Sequence, residues 1–206
     1  MSKKPVIIFE GIEGSGKTLH SNFVSKYLKK NKISHIKIRE PGGSKNSEKI
    51  RKLILNNKSN FNKNTDLLLY LASRSENMSL LNKYKNKKVI LIDRFVDSTI
   101  AYQHYGFGVN LSLINKINDN LLKGFKINFT FLNIVNTKNM IKRLSSRKNL
   151  NRYDRFKNSF YTKVQKGFIK IAKQKNKNYL IIDSNKEIDF NKKIIINKIN
   201  QLIKWI

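Results

Sequence analysis

The segment Gly11–Thr18, GIEGSGKT, constrains this chain more than any other stretch. Gly11, Gly16, Lys17 and Thr18 fit the pattern G-x-x-x-x-G-K-[ST]. The segment follows an apolar run and opens a helical pattern. Its glycines let the backbone curl so that several N–H groups point at one anion. A helix beginning near Lys17 adds the positive end of its dipole. Such a loop cradles the phosphates of a nucleoside triphosphate such as ATP. We therefore read Gly11, Ile12, Glu13, Gly14, Ser15, Gly16, Lys17 and Thr18 as the nucleotide-phosphate site. Lys17 is expected to reach the β- and γ-phosphates, and Thr18 to ligate Mg²⁺. Glu13 is the odd member, because a carboxylate in an anion site repels phosphate. It needs a cation or a hydroxyl donor beside it, and it faces either a sugar hydroxyl or solvent.

Around this loop, short apolar runs alternate with longer helical patterns. The strand candidates are 6–10, 35–39, 88–93, 129–134 and 179–183. Each is rich in Ile, Val, Phe or Leu with little alternation, as strands buried on both faces are. Phe190, Ile194, Ile195, Ile199, Leu202 and Ile203 form a 3.6-period stripe, and Phe156, Phe160, Val164 and Phe168 are spaced by four. The pattern predicts an α/β fold with a parallel sheet and right-handed crossovers. The 206 residues suit one domain, 1–206. Residues 145–157, SSRKNLNRYDRFK, are polar and weakly patterned, and read as a short mobile lid between two helices.

The net charge of +30 raises nucleic acid as a partner. Lys, Asn and Ile are spread along the whole chain, however, as AT-rich codons would leave them. No basic arm or stripe stands out, so no specific nucleic-acid partner is expected. Cysteine is absent, which excludes disulfides and thiolate metal sites and agrees with a reducing cytoplasm. No apolar stretch approaches the ~20 residues that span a bilayer, so no membrane partner is expected.

Three further stretches carry chemistry: REPGG at 39–43 with Arg51 downstream, YLASR at 70–74, and DRFVDSTIAYQ at 93–103. Glu40, Asp93 and Arg94 sit at the carboxyl ends of strand candidates, where open α/β sheets bind ligands. Arginine suits that mouth because its planar fork grips phosphate and stays charged. Arg74 alone also reads as an exposed helix arginine. Asp93 either anchors the Mg²⁺ shell, holds Arg94, or caps a helix.

In this order and spacing, the four motifs resemble bacterial thymidylate kinase, from about Val6 to Phe168. The resemblance implies a three-layer P-loop kinase fold, a five-stranded parallel sheet flanked by helices, and a homodimer. It implies transfer of the γ-phosphoryl of ATP to dTMP. By the same resemblance Arg74 and Arg94 hold the acceptor phosphate with Arg51 assisting, and Glu40 belongs to the acceptor site. Tyr70, where Phe is common, stacks on thymine. Thr99 and Gln103 lie at the base edge, Ser98 beside the acceptor, Tyr102 against the 2′ position, and Glu13 towards the 3′-hydroxyl. The Glu40–Pro41 bond is a candidate for cis. The phosphate loop lacks arginine, so the lid is expected to supply one: Arg147, with Arg143 and Arg152 as alternates. The chain departs from the pattern at Leu19, at Glu76-Asn77 and at Lys126–Phe129.

A nucleotide monophosphate acceptor is largely ionised at neutral pH, so no general base is required. Other readings remain at this point: a kinase for another nucleotide or a nucleoside, a nucleic-acid-dependent ATPase, or a non-catalytic binder.

Overall fold

The computed structural model describes residues 4–203. Five parallel strands form one sheet in the order β2-β3-β1-β4-β5. They are β1 (Val6–Glu10), β2 (His35–Arg39), β3 (Val89–Asp93), β4 (Phe129–Ile134) and β5 (Tyr179–Asp183). The expected strands are all present, with the third beginning one residue later than read.

The helices are α1 (Lys17–Lys30), α2 (Lys45–Leu55), α3 (Lys63–Tyr84), α4 (Val96–Thr99), α5 (Leu111–Leu122), α6 (Thr137–Ser145), α7 (Asn158–Gln174) and α8 (Ile188–Ile203). Asparagine starts several of them. The side chains of Asn62, Asn110 and Asn136 accept first-turn N–H groups of α3, α5 and α6, the usual use of a short polar side chain at a helix start.

Strand periodicity sends alternate residues to opposite faces. From β1, Ile7 and Phe9 join Val24 and Leu28 of α1 and Ile195 and Ile199 of α8. Val6 and Ile8 go the other way, to Leu67, Leu71 and Leu81 of α3 and Ile114 of α5. Both faces are covered, which is why these strands read as continuous apolar runs. A third cluster lies beyond the sheet's carboxyl ends. There Leu144 of α6 and Val164 and Phe168 of α7 surround Ile12, Ile54 and Tyr153.

The sheet order puts β1 between β3 and β4, with Phe9 beside Asp93 and Glu10 beside Leu132. β2 lies outside β3, with Arg39 beside Asp93. The carboxyl ends of β1, β2 and β3 therefore open on one mouth, and the four motifs meet there.

Candidate active site

The loop after β1 turns through glycines at φ of +142° (Gly11), +69° (Gly14) and +83° (Gly16). At Gly11 a Cβ would lie 2.3 Å from the Asn133 carbonyl oxygen, so both conformation and space demand glycine. Gly16 caps α1 with no side-chain hydrogen bond. The helix start is thereby left open to an anionic ligand. Lys17 is buried and its Nζ donates to the Ile12 carbonyl at 3.2 Å. Burial, reinforced by Arg94, lowers its pKa to about 8. The buried Ser15 hydroxyl has no protein partner, as a loop awaiting ligand oxygens would leave it.

Thr18 Oγ1, in the first turn of α1, donates to Oδ2 of Asp93 at the end of β3, at 2.5 Å. A hydroxyl and a carboxylate side by side are hard oxygen donors that suit Mg²⁺. Among the described residues, no group of three His, Cys, Asp or Glu could hold a metal ion.

A cavity of about 270 Å³ adjoins this loop. Arg94 stands between the two. It follows β3 at φ +69°, a left-handed conformation uncommon outside glycine. Its guanidinium donates to the Gly11 carbonyl at 2.9 Å and to Glu13 at 2.7 Å, and it lies 3.4 Å from Ser98 Oγ. Burial opposes its charge, but neighbours including Tyr102 and Glu13 outweigh that and raise its pKa. The Tyr102 hydroxyl donates to the other oxygen of Glu13. Glu13 thus has both the cation and the hydroxyl donor that its position required, and neither of the two poses expected for it is needed to explain its survival in the loop.

Tyr102 and Gln103 lie on a π-helical turn, Ile100–Gly106. Such turns shift side chains out of α-helical register and recur at functional sites. Both residues border the cavity. So do Tyr70 of α3, Ser98 of α4, and Arg51 of α2, whose Nη1 donates to the Pro41 carbonyl at 2.6 Å. The Glu40–Pro41 bond is cis. Tyr70 meets Tyr153 edge to face, with centroids 5.8 Å apart. Arg147 also borders the cavity and pairs with Asp154 at 2.5 Å.

Four residues expected at the site do not border the cavity. Arg74 is only 1% exposed and does not border the cavity. Its guanidinium binds Glu40 Oε2 at 2.8 and 2.9 Å, Asn118 at 2.7 Å and Thr99 at 3.0 Å. Four of its five N–H groups are spent inside the protein, and in this arrangement it holds Glu40 at the start of the 40–43 loop. Thr99 is buried as its partner and likewise lies off the cavity wall. Arg143 donates to the carbonyls of Gly14 at 2.9 Å and Ser184 at 2.6 Å. It braces the phosphate loop from α6. Arg152 is bound to Asp66 and to the Ile54 carbonyl at 3.1 Å. It anchors its segment to α2 and α3. That segment is packed onto the body, not standing free: Arg152–Arg155 form a 3₁₀ turn, capped reciprocally by Asn151 and Asp154.

Arg39, at a strand end beside Glu40 in the 39–43 motif, borders the cavity, and so do Tyr153 and Asp154, which the sequence did not single out. Tyr153 and Asp154 sit in a polar stretch without periodicity, and only their contacts with Asp66 and Arg147 reveal them. Glu10 was hidden as the last residue of an apolar strand.

Comparison with known proteins bears directly on this arrangement. Residues 9–195 match the family model for thymidylate kinase. The chain is 38% identical over 185 residues to a thymidylate kinase of Thermosipho africanus, covering 89% of this chain and 91% of that one. It is 36% identical over 198 residues to a thymidylate kinase of a Sulfurihydrogenibium species, covering 95% and 96%. Among solved structures, thymidylate kinase from Ehrlichia chaffeensis matches with a TM-score of 0.76 and 31% identity over 96% and 98% of the two chains. With the phosphate loop, the parallel sheet and the adjoining arginine-gated cavity already in place, matches of this extent establish that the chain belongs to the thymidylate kinase family.

Proposed function

We propose that this chain transfers the γ-phosphoryl of ATP to dTMP, giving dTDP and ADP. The observation that carries the reading is the position of Arg94. One guanidinium touches the phosphate loop at Gly11 and the acceptor cavity at Ser98. A cation at that boundary neutralises charge where two polyanions must approach in line.

Lys17 takes the donor phosphates, and Arg94 with Arg51 takes the acceptor phosphate. Thr18 and Asp93 would hold Mg²⁺, which would supply charge neutralisation on the donor side. Tyr70 offers a ring face to the base, Gln103 an amide to its edge, and Tyr102 closes the sugar pocket. Arg147 serves the transferring phosphoryl when it leaves Asp154. The acceptor oxygen is largely ionised at neutral pH, so no proton need be removed.

The carboxylates at the cavity support a phosphate acceptor over a nucleoside. Glu13 is bound by Arg94 and Tyr102, Glu40 by Arg74, Asp93 by Thr18 and Asp154 by Arg147. Glu13 and Glu40 stay paired throughout, Asp93 is assigned to the metal, and Asp154 keeps its Asn151 contacts when Arg147 moves, so none is a free base of the kind a hydroxyl acceptor would require.

The enzyme works in the cytoplasm as a homodimer in this reading. No helix among the described residues is long and apolar enough to cross a membrane. The exposed Leu53 and Leu68 on α2 and α3 offer apolar surface to a second copy.

An ADP-release assay with Mg-ATP tests the acceptor directly. Turnover is expected with dTMP, weakly with dUMP, and not with the ribose form of TMP, dCMP, AMP, GMP or thymidine. Turnover with thymidine but not dTMP, or ADP release driven by DNA, would refute the reading.

A further inference from the structure

Helix α4 spans four residues, and its N-cap, Phe95, offers no side-chain hydrogen bond. A carboxylate from another element takes its first N–H groups instead. Glu10 Oε1, at the end of β1, accepts from Phe95 N at 2.8 Å and Ser98 N at 3.1 Å. The Ser98 hydroxyl lies 2.5 Å from Glu10 Oε2. Glu10 is fully buried and does not border the cavity, whereas Ser98 does. Glu10 therefore reaches the acceptor only through Ser98.

One proton occupies the contact between Oε2 and Ser98 Oγ, and it can belong to either oxygen. With Glu10 ionised, the Ser98 O–H points at Glu10 and only its lone pairs face the cavity. With Glu10 protonated, Oε2 donates to Ser98 Oγ, and the serine hydrogen turns outward. Oε1 keeps both N–H groups in either state, so the backbone does not change.

We propose that Glu10 is a positioning residue whose neutral form turns the Ser98 hydroxyl into a hydrogen-bond donor for the acceptor phosphate. This rests on the phosphate-acceptor reading above. The surroundings favour the neutral form. Burial and the nearby Asp97 raise the Glu10 carboxyl to about 7, against the pull of Ser98, Phe95 and Arg94. Asp97 is itself held by Lys175 and Tyr179, from beyond α7 and from β5. An arriving phosphate dianion adds negative charge at Ser98 and disfavours Glu10 ionisation further.

The test is KM for dTMP at saturating Mg-ATP, from pH 6 to 8, in wild type, Glu10→Gln and Ser98→Ala. Glutamine reproduces the neutral arrangement at every pH, since its Oε1 accepts the N–H groups and its Nε2 donates to Ser98. The acceptor's own ionisation near pH 6 affects all three alike and cancels in ratios. The ratio of wild-type KM to Glu10→Gln KM is expected to rise by up to about tenfold from pH 6 to 8, one unit above the Glu10 midpoint. The kcat ratio should stay level. Ser98→Ala should follow the shallower Glu10→Gln profile, because the hydroxyl that Glu10 directs is gone. A constant ratio, or a Ser98→Ala profile parallel to wild type, overturns the proposal. No wild-type turnover of dTMP at any pH would overturn the acceptor reading itself, a distinct result.

Discussion

In the proposed function Arg94 serves two anions with one guanidinium. Glu13 and the Gly11 carbonyl hold it at the boundary between loop and cavity. Lysine keeps the charge but not the fork, so Arg94→Lys should lose at least one hydrogen bond to a charged group. At about 1.5–3 kcal/mol per such bond, kcat/KM for dTMP should fall roughly 10- to 150-fold. A fall seen only in KM for ATP would place Arg94 on the donor side instead. Lys17 gives a second expectation at this scale. Its pKa of about 8 means the charge is present below that pH and lost above it. Phosphate contact favours the charged form, so nucleotide binding should take up protons near pH 8 and KM for ATP should climb above it. Calorimetry in two buffers of different ionisation enthalpy reads that uptake directly. No uptake between pH 7.5 and 8.5 would contradict the assigned Lys17 contact.

Elements set how much of this was legible. The strands were read almost without error: β1, β3 and β4 are buried along almost their whole length, and the partly exposed edge strands β2 and β5 kept enough Ile and Leu to stand out. The phosphate loop was equally plain, since glycine at positive φ leaves a sequence trace. The 145–157 segment was not, because what orders it lies elsewhere in the chain: Asp66 on α3 holds Arg152 and Tyr153. The π-helical turn carrying Tyr102 and Gln103 has no composition of its own. The burial of Arg74 was not legible for a similar reason: its partners Glu40 and Asn118 are 34 and 44 residues away. These contacts separate the arginines of the 143–152 region. Arg147→Ala should reduce kcat by about 10³-fold, with some loss of stability because the buried Asp154 keeps only its Asn151 contacts. Arg152→Ala should destabilise by about 3 kcal/mol with kcat little changed, because it leaves the buried Asp66 carboxylate short of its cation. Thermal melts beside kinetics distinguish them. An Arg152→Ala variant with wild-type stability and a kcat loss of that size would reverse the assignment.

For the whole molecule, the sheet is a platform and both its covers matter. Ile195 of α8 and Leu81 of α3 are fully buried on opposite faces, far along the chain from the phosphate loop. Either residue changed to Ala should cost about 2–5 kcal/mol, measurable by urea unfolding, through lost burial and the cavity left behind. Light scattering should return about twice the chain mass of 24.1 kDa if two copies pair through their exposed apolar side chains. A monomer at micromolar concentration would remove the dimer from the account. The charge of +30 is spread over the chain, and it enters here only as a field that attracts polyanionic substrates.

The central claim is that the phosphate loop and the arginine-gated cavity exchange one phosphoryl group directly. A single-turnover experiment with ATP labelled in the γ-phosphate, excess enzyme and dTMP follows that group. The label should be recovered in dTDP in step with ADP formation, and Lys17→Ala should abolish both. Label recovered as free phosphate while dTMP stays unchanged would mean that the loop hydrolyses ATP and the cavity is not its acceptor site.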